Sequence, residues 1–364
     1  MEQAYTQAYA LCQQVGETPE LVPVLLGLLN FYTGRAQFHT ARELGDTLLR
    51  LTQRDPNPAL AILVHHRLGQ TQLYLGALSA ARLHLEAGIA LDTPAQRRAL
   101  MVRIEGADAG VACRICAALT LWVLGYPAQA LARRHDALTL AHALGPPYSL
   151  AFARCWAAYV SQFCRDVPAV HMQAEAAVAL ATEKGFPFWG AAGTILRGWA
   201  LVIQGQGEAG MAEVRQGIAA YRATGAALLV PYYCTVLTDV AAHLGHTEEG
   251  LQALAEAHTL VEQQEERWWE AEIHRLRGVL LLRQPGTPQA EAETWLQRAL
   301  DVARRQEAKS LELRAAMSLS RLWQQQGKQA EARALLASVY GWFTEGFDTA
   351  DLQEAKVLLE ELAG

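Results

Sequence analysis

A repeat of about 40 residues is the strongest pattern in this sequence. Short breaks between helix-like stretches recur along the 364 residues, and five of the seven intervals between them are 40 residues long. Loops that arise independently would not keep such a spacing, so the chain is predicted to be an array of similar units. The breaks lie near Ala36, Gly76, Gly125, Arg165, Gly205, Gly245, Thr287 and Gly327.

Residue size repeats with the same period. Most positions five and twelve residues after each break hold Ala or Gly. Residues seven apart lie on one face of a helix, and small ones let a neighbouring helix approach closely. Each unit is therefore predicted to be a helix, a tight turn and a second helix. The first column is Ala41, Ala81, Ala130, Val170, Gly210, Gly250, Ala292 and Ala332; the second is Leu48, Gly88, Ala137, Ala177, Gly217, Ala257, Ala299 and Val339.

The composition and the 40-residue period together predict an all-α superhelical solenoid of about eight helical hairpins. Apolar residues make up 51% of the chain, which is enough to bury a core, and no strand-like alternation is sustained. Within 62–95, Leu68-Gly69, Gly76, Ala81 and Pro94 resemble the tetratricopeptide repeat (TPR). HEAT-type repeats, whose period is nearer 40 residues, are the alternative. Each unit is expected to touch mainly its neighbours, giving an elongated or curved particle.

Residues 1–364 are predicted to form a single solenoid with three irregular segments. Residues 1–18 are expected to hold the second helix of an incomplete repeat. Residues 92–109 are polar and contain Gly and Pro, so they are predicted to be a loop inserted between two repeats. Residues 348–364 are predicted to form a capping helix, because a solenoid needs a polar outer face at its end.

Several stretches resemble a family of large bacterial signalling proteins. They are GFPFW (185–189), ILRGW (195–199), AAYRATG (219–225), ERWWEAE (266–272), AKSLELR (308–314) and YGWFTEG (340–346). They are similar to the C-terminal helical-repeat region of proteins that carry a class III adenylate/guanylate cyclase domain and an AAA/STAND-type ATPase. The resemblance implies a sensor or protein-interaction module. The cyclase and ATPase motifs are absent from this sequence, so neither activity follows from it.

Motifs that would bind a cofactor or a metal fail in their context. The G-x-G-x-x-G of Gly205–Gly210 lacks the acidic residue that would hold a ribose about 20 residues later, and its glycines are repeat positions. Gly245-x4-Gly250 lacks the phosphate-binding Lys. Cys113-x-x-Cys116 has no second ligand pair, which favours packing over a zinc or redox role. We predict no catalytic residue, no cofactor and no metal, and therefore not an enzyme.

The net charge and the cysteine content limit which binding partners and which cellular compartment the sequence predicts. The net charge of −6 argues against a nucleic-acid binder, which would show a basic face. The longest charge-free stretch is broken at Gly125-Tyr126-Pro127, so no membrane span is expected. The N-terminal residues lack the features of a signal peptide, and the scattered cysteines suit a reducing cytoplasm.

The inner face of the array is the candidate binding surface, because first helices of TPR units line the concave side. Tyr159 and Trp199 fall in one column of that face and are expected at the centre of binding, since aromatic and Arg side chains are common interface anchors. Packing within the array is the alternative role for these side chains. The candidate residues are His66, Gln70, Tyr159, Gln162, Trp199, Asp239, Arg275 and Arg321.

The sequence thus predicts a non-enzymatic protein-interaction, scaffold or sensor module of a bacterial signalling protein. Its expected partner is a protein or peptide, including the ATPase or cyclase domains of a parent chain. The alternative is a regulatory domain that binds a metabolite in the concave groove.

Overall fold

A computed structural model describes residues 21–54, 57–101 and 106–363, with the side chains of all of these except 98–101. The predicted helix within residues 1–18 lies outside this range. The described residues form eighteen helices and no strand, which confirms the all-α prediction.

Sixteen of the helices pair into eight hairpins. The first four hairpins are α1 (Leu21–Gly34) with α2 (Phe38–Arg54), α3 (Pro58–Tyr74) with α4 (Leu78–Leu91), α6 (Ala109–Val123) with α7 (Pro127–Leu144), and α8 (Pro147–Phe163) with α9 (Val167–Lys184). The last four are α10 (Pro187–Ile203) with α11 (Gly207–Ala223), α12 (Val230–Leu244) with α13 (Thr247–Gln264), α14 (Glu270–Leu281) with α15 (Gln289–Arg305), and α16 (Lys309–Gln325) with α17 (Gln329–Tyr340). The unpaired helices are α5 (Pro94–Met101) and α18 (Ala350–Glu361).

The turn inside each hairpin contains one residue in the left-handed region of the backbone, where glycine is favoured. Seven of these residues stand at the predicted breaks, and in the seventh hairpin the turn residue is Gly286 beside the predicted Thr287. Ala36 and Arg165 adopt the conformation without being glycine, at φ 56° and 60°. The sequence period therefore marks the points where each first helix ends.

Both columns of small residues lie in the interior, where they bring helices together. At Gly210 a Cβ atom would lie 2.5 Å from the carbonyl oxygen of Gly198, so α10 and α11 are in backbone contact there. Residues 200–203 belong to α10 rather than to a strand. Gly205 and Gly210 therefore serve a turn and a helix–helix contact, as the repeat frame predicts.

The inserted segment differs from its prediction as a loop, because it contains the helix α5. The Thr93 hydroxyl accepts a hydrogen bond from the backbone N–H of Gln96 at 3.3 Å, and Pro94 occupies the first turn. Asp92, whose side chain is buried, accepts from Arg97 at 2.8 Å and from Arg114 at 2.5 Å. A capped helix start and the ion pairs of a buried carboxylate thus support α5.

Each hairpin packs mainly against its neighbours, as predicted, but two superhelical turns also meet along a line that we call the seam. The seam joins the C-terminal ends of α1, α3, α6 and α8 to the segments that begin α12, α14 and α16. The carbonyl of Tyr74 accepts from the N–H of Arg267 at 2.8 Å, and that of Gly34 accepts from the N–H of Ala227 at 3.1 Å. The carbonyl of Trp122 accepts from the Ser310 hydroxyl at 2.5 Å.

The seam has a simple physical cause. The last carbonyls of a helix have no partner within that helix and carry its negative dipole end, while the N-terminal end of a helix offers donors and a positive end. The C-terminal carbonyl groups of the first helices in hairpins one, two and three therefore accept hydrogen bonds from the N-terminal segments of hairpins six, seven and eight. Side-chain hydrogen bonds across the seam join residues from 151 to 228 positions apart.

Aromatic side chains fill the interior behind the seam. Phe163 stacks on Trp269 with ring centroids 4.7 Å apart, and Trp122 lies 6.2 Å from the same indole. Trp268 is 1% exposed and contacts Tyr74. Because these rings come from both turns, one continuous core joins hairpins that are far apart in the chain.

Candidate functional site

The first helices of the later hairpins surround an inner cavity of about 500 Å³. We call it the central cavity. Its wall combines two indole rings with a dense set of charged side chains. The charged and polar lining residues are Gln162, Arg165, Thr235, Asp239, His243, Glu272, Arg275, Arg314, Ser318, Arg321, Asp351 and Glu354, and the indoles are those of Trp199 and Trp269.

Seven of these side chains form one chain of alternating charge, which we call the arginine–carboxylate network. It contains four guanidinium groups and three carboxylates. Its links measure between 2.5 and 3.6 Å. In order, its members are Arg321, Glu354, Arg165, Asp351, Arg314, Glu272 and Arg275.

Arg314 is the centre of this network and also spans the seam. Its Nε donates to Asp351 at 2.7 Å, and one Nη donates to the carbonyl of Phe163 at 2.7 Å. Its guanidinium carbon lies 4.8 Å from the centroid of the Trp122 ring. One arginine thus joins the cavity wall to the end of α8.

The network keeps Glu272 and Arg314 charged despite their burial. Burial alone would raise the pKa of Glu272, but the guanidinium groups of Arg275 and Arg314 hold it below its ordinary value. Burial opposes the charge of Arg314, yet Asp351 and Glu272 raise the pKa of Arg314 above its ordinary value. The cavity therefore presents fixed charges at neutral pH.

Asp239 supplies a second, separate charge in the cavity. Its carboxylate accepts a hydrogen bond from the indole Nε1 of Trp199 at 2.7 Å. No ion pair joins it to a guanidinium within the part of the chain that the structure describes. The network, with four cations and three anions, carries an excess of one positive charge, so the cavity contains both an electropositive and an electronegative region.

Five of the eight candidate residues come together in the central cavity: Gln162, Trp199, Asp239, Arg275 and Arg321. Arg321 is the more exposed of the two arginines, with 42% of its side chain accessible, against 18% for Arg275. The sequence period therefore identified one wall of a real cavity, and a binding role for it remains a prediction.

The other three candidates, Tyr159, His66 and Gln70, do not line the central cavity and must be corrected. Tyr159 is 2% exposed and its hydroxyl shares a hydrogen bond with that of Tyr233. His66 lies 3.7 Å from the thiol of Cys116, and Gln70 donates to the Tyr74 hydroxyl at 3.2 Å. These contacts lie within one helix or between hairpins one or two places apart, so packing among nearby first helices, the alternative role, accounts for the burial of all three.

Sequence reasoning missed the rest of the network: Arg165, Glu272, Arg314, Asp351 and Glu354. A partial signal exists, since Glu272 precedes Arg275 by three residues and Arg314 precedes Arg321 by seven, spacings that share a helix face. Arg165 stood at a predicted turn, and nothing local indicates that it meets α18.

The described residues contain no group of three or more His, Cys, Asp or Glu side chains placed to hold a metal ion. Cys113 and Cys116 are buried in α6, and burial raises the pKa of the Cys116 thiol to about 12. Both are packing residues in this fold. Within the same residues, no helix is both long and apolar enough to cross a membrane.

The chain was compared with known protein families, sequences and solved structures. No family model matches the chain. An uncharacterized protein of Rhizobium meliloti (strain 1021) is 26% identical over 269 residues, which are 73% of this chain. The matched region is 26% of that protein, so the chain spans only about a quarter of the relative's length.

Two solved structures share the architecture at low sequence identity. A Rap protein complexed with competence and sporulation factor superposes with a TM-score of 0.59 at 11% identity, over 94% of this chain and 97% of its own. NprR in complex with its cognate peptide NprX has a TM-score of 0.56 at 10% identity, over 96% and 98%. The chain therefore has the fold of the TPR-like superhelical repeat proteins.

Proposed function

We propose that this protein is the recognition module of a bacterial signalling protein, that it acts in the cytoplasm, and that its central cavity binds a peptide segment. The observation that carries the proposal is the arginine–carboxylate network facing Asp239 across a cavity of about 500 Å³. Two of its guanidinium groups, those of Arg275 and Arg321, suit a carboxylate, because arginine binds that group through paired hydrogen bonds. Asp239 suits an amine or a guanidinium.

The cavity also suits the backbone of an extended segment. The amide of Gln162 can donate and accept hydrogen bonds, and the hydroxyl oxygens of Thr235 and Ser318, which already donate to backbone carbonyls, can accept them. The indoles of Trp199 and Trp269 offer flat apolar contact at small entropic cost. The two solved structures of this fold named above are themselves complexes, one with competence and sporulation factor and one with the peptide NprX.

The partner segment we propose belongs to a signalling chain, and the ATPase or cyclase domain of a longer parent chain is one such source. The R. meliloti relative supports this, because its matched region is only 26% of its length. The repeats would then report the presence of the segment to the domains that precede them.

The test is affinity capture from the native host followed by measurement of binding to the captured partner. Asp239→Asn preserves side-chain shape, Arg321→Gln replaces a guanidinium by a shorter neutral amide, and each removes one charge. We expect each to weaken binding by about 2 kcal/mol, roughly thirtyfold, as hot-spot substitutions do. Val357→Ser, at an exposed position of α18 outside the cavity, is the matched control. Unchanged affinity in both charge variants would count against the proposal.

The second candidate function is the sensing of a small metabolite. The cavity volume favours it, since small-molecule sites typically measure about 300–1,000 Å³. Native mass spectrometry of protein purified from its host distinguishes the two. A small molecule that stays bound to the wild-type protein and is lost from Asp239→Asn supports metabolite sensing. A captured peptide, with no small molecule retained on the protein, supports peptide recognition.

A further inference from the structure

A second concavity lies on the outer surface, where the seam reaches solvent. It measures about 750 Å³, and we call it the seam groove. One wall comes from α4 and the turn at Tyr126, and the other from the end of α15, the turn before α16 and Trp342. Both superhelical turns therefore contribute to it, and none of its lining residues lines the central cavity.

The floor of the groove is aromatic. Tyr126 and Trp342 meet edge to face with ring centroids 5.5 Å apart. Gly125, at φ 93°, makes this approach possible, because a Cβ there would lie 2.6 Å from both the Trp342 ring and the Lys309 side chain. Leu83 extends the apolar surface and is 73% exposed, while Trp342 is 37% exposed.

The charge of the groove is incompletely balanced. Three cationic side chains line it: Arg82, Arg304 and Lys309. Among the described residues, Glu312 is the one carboxylate that forms an ion pair with any of the three. Arg304 donates to Glu312 at 3.0 Å, and Lys309 donates to the same carboxylate at 2.6 Å. The guanidinium of Arg82 lies 4.9 Å from the centroid of the Tyr126 ring and pairs with no described carboxylate.

Of the two acids that line the groove, Glu86 is paired with a cation, whereas the partner of Glu307 is the hydroxyl of Ser79, which also lines the groove. Glu86 accepts from Arg133 at 3.1 Å, and Glu307 accepts from the Ser79 hydroxyl at 2.5 Å. A ligand carboxylate would therefore meet Arg82 and the two cations that share Glu312 without displacing an existing ion pair of Arg82. A large apolar side chain beside it would cover Leu83 and the indole of Trp342.

We propose that the seam groove is a docking site for a short segment of a partner protein in which an acidic residue adjoins a bulky apolar one. Leu83 and Trp342 contact the apolar side chain, and Arg82, Arg304 and Lys309 contact the carboxylate. Because the two walls belong to different superhelical turns, the docked segment bridges the seam. This site is independent of the central cavity and of the function proposed for it.

The test is selection of binding peptides from a random phage-displayed library on the full-length protein. We expect enrichment of sequences with Asp or Glu next to Leu, Phe or Trp. Synthetic versions of the enriched peptides should lose at least tenfold in affinity on Leu83→Asp and on Arg82→Glu. They should also bind more weakly when NaCl rises from about 50 to 300 mM, because the attraction between solvent-accessible charges is screened.

Two controls make the result specific. Met172→Asp introduces the same change at a 57% exposed residue of α9 outside the groove and should leave binding unchanged. Asp239→Asn changes the central cavity and should also leave it unchanged. The substituted side chain of Leu83 is largely exposed, so that variant is expected to fold, and circular dichroism checks it.

Three results would overturn the proposal. One is the absence of any enriched peptide; another is enrichment of peptides without acidic residues, or of peptides whose binding ignores Arg82→Glu. The third is a dimer in sedimentation velocity that Leu83→Asp dissociates, since the occupant would then be a second copy of the chain.

Discussion

Replacing Arg314 by alanine should lower the free energy of unfolding by about 3–5 kcal/mol, the usual cost of removing one partner from a buried ion pair. The side chain is 11% exposed and contacts Asp351, Glu272, the Phe163 carbonyl and the Trp122 ring. Its loss leaves Glu272 and Asp351 buried with fewer counter-charges and an unpaired carbonyl at the end of α8. Urea denaturation followed by circular dichroism measures the change.

Arg321→Ala is the matched control for that experiment. Arg321 lies on the same helix and belongs to the same network, but 42% of its side chain is exposed and Glu354 is its one partner among the described residues. Exposed ion pairs contribute less than about 1 kcal/mol. Equal destabilisation by the two variants would mean that Arg314 does not hold the seam.

The contribution of Glu266 to stability should fall by about 3 kcal/mol as pH rises from about 5 to 7. Glu266 is 1% exposed, and burial raises its pKa to about 7 despite hydrogen bonds from the Trp268 indole and the Leu229 N–H. In this window the folded chain keeps a proton that the unfolded chain has already released. Unfolding is therefore favoured as pH rises, and the effect levels off above the folded-state pKa.

Glu266→Gln isolates this contribution, because glutamine keeps an oxygen that accepts both hydrogen bonds and does not titrate. The neighbouring phenols of Tyr74 and Tyr221 stay neutral, since burial raises the pKa of each. The difference in unfolding free energy between wild type and variant, measured in urea at pH 5, 6, 7 and 8, should change by about 3 kcal/mol. Parallel pH curves for the two proteins would show that Glu266 is ionised throughout.

The hairpins were predictable because their signals are local. A left-handed turn residue, such as Gly205, and a small residue five positions later act within one helical pair, so a fixed period in the sequence becomes a fixed period in space. The same frame placed Trp199 and Asp239 in one column, one repeat apart, and in the structure their side chains share a hydrogen bond.

What the period does not determine is the radius and pitch of the superhelix. Small differences in packing angle accumulate from one hairpin to the next, and the sum decides whether two turns touch. Tyr159 shows a related result, since the frame placed it on the inner face and its hydroxyl meets that of Tyr233, two hairpins later, in a buried contact. Arg314 and the carbonyl of Phe163 are 151 residues apart, and no local pattern encodes their contact.

The seam also has a consequence for how such a chain evolves. In an open repeat array, a duplicated or deleted unit leaves the remaining neighbour contacts intact, so copy number drifts easily. Here, deleting one hairpin between α8 and α14 would move every later partner by a whole unit. The Tyr74 carbonyl would then no longer face Arg267, and Trp122 would no longer face Ser310. We therefore expect the number of hairpins in one turn to be fixed in related chains that keep the seam, and inserted residues to fall where they leave that number unchanged.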